Sequence, residues 1–133
     1  MTIGTMRAFS WWKRALWMRL GALNGLVSLV ILLLADKPVF APGSETEVHL
    51  GAQVQFMHGM ATIACATFMN IGAKGARLAP AFFMSGIVLF PAPIYAEAAG
   101  LFAAPEAIRH LGLASFAVGW LIMAWAAKDI DRG

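Results

Sequence analysis

Few side chains able to do chemistry fall inside the apolar runs of this sequence, and His58 is foremost among them. Gln55, His58, Thr62 and Cys65 recur at steps of three, four and three, which places them on one face of a helix. An imidazole buried among apolar groups must find hydrogen-bond partners, so the helix bearing it should turn that face towards other helices. Two readings of His58 stay open: a packing histidine satisfied by its neighbours, or a ligand or proton site.

The inventory argues against sharper chemistries. A bis-histidine haem needs two inward imidazoles, and His49 and His110 fall near the ends of apolar runs,. Proton-coupled export needs a carboxylate within the membrane, and Glu97 sits at a run's end,. No phosphate loop, paired intramembrane acids, Ser-His-Asp set or HExxH occurs,. Met57, Met60 and Met69 read as packing and not as copper ligands. No catalytic residue and no metal site is therefore assigned; haem or quinone are the only cofactors left room.

These residues belong to a very apolar chain. Of 133 residues 60% are hydrophobic and 13% charged, and the mean hydropathy is +0.72. That composition indicates one integral membrane domain over 1–133. The isoelectric point near 9.5 does not signal nucleic acid, because the bases cluster at the ends of apolar runs. The lone Cys65 excludes an internal disulfide,.

An all-α, four-transmembrane-helix bundle follows, with helices at about 16–35, 51–71, 78–96 and 111–127. Each is long enough, at ~1.5 Å per residue, to cross most or all of a core of ~30 Å. Arg7, Trp11, Trp12, Lys13 and Arg14 form an interfacial anchor before the first helix,. That helix is too long for a signal peptide, contains Asn24 and lacks a cleavage site of small residues. Gly21, Asn24, Gly25 and Ser28 form a small-residue packing stripe on it, from which Asn24 can hydrogen-bond across the contact,. Gly112, Ser115 and Gly119 form another on the fourth helix,. Residues 36–50 and 97–110 read as polar connections. Pro91 and Pro93 leave the carbonyls of Ile87 and Leu89 without their usual donors, so the third helix should kink.

Counting bases on alternate sides fixes the orientation. Arg7, Lys13, Arg14, Arg19, Lys74, Arg77, Lys128 and Arg132 fall on one side, and only Lys37 and Arg109 on the other. Both termini should then be cytoplasmic. His58 lies about seven residues in from the outer surface, ~10 Å by helical rise. Its side chain leans outward while Tyr95 leans inward. Gln55, His58 and Tyr95, with Glu97, should form a polar cluster in the outer half, His58 or Gln55 donating to the carbonyls released by the prolines.

The run Gln53-Val54-Gln55-Phe56-Met57-His58 resembles the glutamine-rich approach to a histidine in the family called domain of unknown function 423, which includes the transmembrane protein 256 type. Gly86 to Phe90 through Tyr95 resembles that family's third helix and Gly119-Trp120 its fourth, so the likeness runs from about Gly51 to Ala127. The chain departs from the family pattern at Leu32 to Lys37, where members carry a histidine-ended stretch. It departs again at Pro91 and Pro93 in place of serines, and at Arg109-His110 in place of Thr-Pro. The resemblance implies a four-helix membrane protein and supplies no activity.

The expected function is a non-enzymatic multi-pass protein of the cell inner membrane. Its partners are membrane lipid and either other membrane subunits or further copies of itself, and not nucleic acid. The alternative is a module that binds or transports a small molecule, a quinone or a proton through Gln55, His58, Tyr95 and Glu97.

Overall fold

The computed structural model describes residues 13–131, and among these there is no strand. Helix α1 spans Arg14–Leu34, α2 Glu45–Asn70, α3 Ala79–Leu89, α4 Pro91–Ala98 and α5 Glu106–Ala126, with 3-10 turns at Lys74–Leu78 and Ala127–Asp129. The described residues therefore form four antiparallel rods, the third made of α3 and α4. Arg7, Trp11 and Trp12 of the expected anchor, and Arg132, lie outside the described residues.

Among the described residues three stretches are long and apolar enough to cross a membrane: Arg14–Leu34, Lys74–Ala98 and Glu106–Asp129. Helix α2, the one bearing His58, is not among them. Its composition explains this, since two glutamines, two histidines and many small residues dilute the apolar ones. It instead carries more buried residues than any other single helix. Val48, Ala52, Gln55, His58, Thr62 and Cys65 are all buried, the helix packing on α1, α3 and α4 and meeting α5 at His58. Helix α1 packs almost wholly on α2 and leaves Leu23, Leu26, Leu29 and Leu33 exposed.

Helix boundaries differ from those the apolar runs predict. Helix α2 begins at Glu45, six residues before Gly51, so His49 and Leu50 are helical and not part of a connection. Glu45 and Glu47 in its first turn sit favourably at the positive end of the helix dipole. Helix α5 likewise begins at Glu106 after Pro105, and not at Leu111. Both helices continue beyond their apolar portions because hydropathy marks only the part suited to lipid, whereas backbone bonding continues as far as capping allows.

Pro91 breaks the third rod, as its missing N–H requires. Phe90 takes φ −115° and ψ −69°, its own N–H still reaches the Gly86 carbonyl at 2.8 Å, and Pro91 starts α4. Helix α5 closes on this break at Gly112, where a Cβ would come within 2.9 Å of the Leu89 and Phe90 backbone. Helix α4 ends on Gly100 at φ +78°, with Leu101 N–H donating to Ala96 and Gly100 N–H to Glu97. This is the paired closure that a left-handed glycine permits. The connection after α1 is pinned there too, by Ala41 N–H to the Ala98 carbonyl at 2.7 Å.

The two glycines of the α1 stripe are not equivalent. A Cβ on Gly21 would lie 2.6 Å from the Gly59 carbonyl oxygen of α2, whereas one on Gly25 would meet only the Phe56 ring at 3.7 Å. Gly21→Ala should therefore part α1 from α2 and cost about 1–3 kcal/mol. Gly25→Ala should be neutral or slightly stabilising. Thermal unfolding of the two variants checks this, and equal melting temperatures would contradict it.

Candidate functional site

Gln55 is the point where the polar side chains of the bundle meet. Its Oε1 accepts from the Tyr95 hydroxyl at 2.9 Å, and its Nε2 donates to Asn24 Oδ1 at 2.9 Å. Asn24 Nδ2 in turn donates to the Leu20 carbonyl at 2.8 Å and approaches Met84 Sδ at 3.4 Å. A single hydrogen-bonded line thus joins α4, α2 and α1. Gly51 makes it possible, because the Tyr95 ring lies over α2 where a Cβ would come within 3.0 Å of it.

His58 does not join that line, although it is one turn away on the same face. Its Nδ1 lies 2.7 Å from the Val54 carbonyl, an acceptor, so that nitrogen carries the proton,. Its Nε2 then accepts from the Trp120 indole N–H of α5 at 3.1 Å. The ring stacks on Phe116 with centroids 3.6 Å apart, and Phe83 tilts against it at 5.6 Å. Both nitrogens are engaged, and three aromatic rings, Phe83, Phe116 and Trp120, lie against the imidazole. Ligation by Nε2 would require breaking the bond to Trp120.

Glu97 stands apart from both groups. It faces the end of the bundle, 2.7 Å from Arg109 of α5, and Arg109 also reaches Glu47 of α2 at 3.6 Å. The expected cluster of Gln55, His58, Tyr95 and Glu97 is thus three separate arrangements, of which only Gln55 and Tyr95 touch. Neither Gln55 nor His58 donates to the Ile87 or Leu89 carbonyls: Gln55 reaches Asn24 and His58 a carbonyl of its own helix. Proline displaced the partners of those carbonyls, but the polar side chains found closer ones.

The small-residue stripes work inside the bundle. Gly112 and Gly119 receive the Phe90 backbone and the Phe83 ring, and Ser115 Oγ donates to the Phe82 carbonyl at 2.7 Å. Ser28 is fully buried and donates to the Gly25 carbonyl. Met69 packs against the core, but Met57 and Met60, read as packing residues, are half exposed. They lie in an open apolar groove of about 770 Å³ floored by α2, with Leu29 and Leu32 of α1 on one wall and Trp120 of α5 on the other.

Sequence reasoning missed Trp120 and Phe116 as neighbours of His58, and it expected Asn24 to hydrogen-bond across a helix contact without naming Gln55 as the partner. A signal for Trp120 existed, since an indole mid-helix in an apolar bundle needs an acceptor. Among the described residues no group of three or more His, Cys, Asp or Glu is placed to hold a metal ion.

His58→Leu should lower stability by about 1–3 kcal/mol, because the Trp120 N–H loses its acceptor. Adding Trp120→Phe should recover part of that loss, since removing both partners leaves no orphan donor. Tyr95→Phe should cost a similar amount by depriving Gln55 Oε1. Melting curves of the three variants test this, and a double variant no more stable than His58→Leu alone would refute the pairing.

A family of proteins of unknown function, DUF423, matches residues 34–108, from the last residue of α1 into the first turn of α5. The match covers more than half of the 133 residues. It includes Gln55, His58, Tyr95 and Glu97 but stops short of Trp120, so the resemblance noted for the fourth helix lies beyond it. No curated protein and no solved structure matches the chain. With its α2 to α4 core inside the matched residues, this chain is a member of the DUF423 family.

Proposed function

We propose that this is a non-enzymatic four-span protein of the cell inner membrane, with both termini cytoplasmic, which acts by holding another membrane component against its lipid-facing surface. The observation that carries this reading is the closure of the interior. Asn24, Gln55, Tyr95 and His58 spend their hydrogen-bonding groups on one another, on the backbone or on Trp120. Catalysis and proton transfer need a group with a free valence facing a substrate, whereas these groups hold helices together. The glycine stripes are likewise occupied within the bundle. The open apolar groove between α1 and α5 is then the surface suited to association.

The topology rests on charge. Lys13, Arg14, Lys74, Arg77 and Lys128 share one end of the bundle, and Asp36, Glu45, Glu47, Glu97 and Glu106 the other. Basic loops stay cytoplasmic. Helix α2 crosses despite its polarity because the other helices enclose its polar face.

Two measurements test the reading. In spheroplasts, a membrane-impermeant maleimide should label Thr46→Cys from outside and Lys74→Cys only after permeabilisation; labelling of both from one side would mean that α2 does not cross. Native mass spectrometry of the gently solubilised protein should show the chain with a reproducible non-covalent mass. A bare chain throughout would overturn association as the function.

A further inference from the structure

The groove between α1 and α5 has a polar side chain at one end only. Gln53 is exposed on α2, eight residues after Glu45, and is one of the nine residues that line the groove. Ala64 marks its far end, eleven residues or about 16 Å further along the helix,. Between them the floor is Phe56, Met57 and Met60. Glu47, in the ion pair with Arg109, lies six residues before Gln53, or about 9 Å. If these charges sit among lipid headgroups, Gln53 is at the edge of the hydrocarbon and the rest of the groove runs into it.

Size separates the candidate occupants. A stable protein interface takes about 20–30 residues a side, and nine line this groove. A volume of about 770 Å³ falls instead within the range of small-molecule sites, roughly 300–1,000 Å³. Charge narrows the class further, since no lining residue is ionisable, so nothing there neutralises a phosphate or an ammonium. The amide of Gln53 both donates and accepts, which a hydroxyl matches in both senses and a quinone carbonyl in only one. The walls are fixed. Trp120 is tied to His58 through its N–H, and α1 is locked to α2 where Gly21 meets Gly59.

We infer that the groove binds a single-chain amphiphile with an uncharged hydroxyl head, such as a long-chain or isoprenoid alcohol. The head hydrogen-bonds to Gln53 and the chain lies over Met57 and Met60 towards Ala64. This rests on the association reading and names its ligand.

Trp120 provides the readout, because bromine quenches indole fluorescence on contact. The full chain is reconstituted in phosphatidylcholine vesicles and titrated with a dibrominated eighteen-carbon alcohol, and the quenching lost in Trp120→Phe is assigned to Trp120. Saturable quenching that the unbrominated alcohol reverses is expected. Gln53→Leu should raise the half-saturating mole fraction about three- to tenfold, the effect of one hydrogen bond. Ala64→Leu, which takes the far end of the groove from the chain, should raise it as well while circular dichroism reports unchanged helix. Quenching that rises linearly with mole fraction in the unmodified chain would overturn the inference, as would saturation unaltered in both variants. So would efficient Gln53→Cys disulfide dimers in the membrane, which would give the groove to a second copy. In that last case the mass spectrum still shows an associated component, so the ligand fails while association stands.

Discussion

An apolar bundle has no water to spare for its buried polar groups, so each must find a partner within the chain. That requirement organises this protein. Gln55 meets it by accepting from Tyr95 and donating to Asn24, which binds α4 and α1 to α2. His58 meets it one turn later by accepting from Trp120, which binds α5. Helix α2 is thus the least lipid-like rod and the one to which the others are fastened.

Those bonds form only because backbones and rings approach closely. Gly21 and Gly59 bring α1 and α2 into contact, Gly51 admits the Tyr95 ring, and Gly86 and Gly119 admit Phe116 and Phe83 around His58. The break at Phe90 contributes as well, since it starts the short helix from which Tyr95 reaches Gln55. Between helices in lipid, such packing and hydrogen bonding replace the hydrophobic drive that holds soluble bundles.

Membership in the DUF423 family covers α2, α3 and α4 in full. The pairing within that core, Gln55 with Tyr95, lies inside the matched residues, whereas its ties to Asn24 and Trp120 extend to helices outside them. The groove is likewise made between the matched α2 and the flanking α1 and α5.

Hydropathy and proline chemistry made much of this legible from sequence: an all-helical chain, apolar rods of membrane length, a third rod broken at Pro91, and Gln55 and His58 on the buried face of one helix. Each is a local property, fixed by side-chain period and by which residues carry an N–H. The partners were not legible. Nothing in spacing names Gln55 as the residue that Asn24 bonds across the contact. Nor does spacing reveal that Glu97 turns to Arg109, or that Met57 and Met60 face outward. Those outcomes depend on how the rods rotate about their axes and where they cross, and a turn of a helix by one residue, about 100°, exchanges its neighbours. The sequence by itself determined which groups must be satisfied; only the tertiary structure decided by whom, because hydrogen bonds and close contacts act over a few ångströms between residues far apart in the chain.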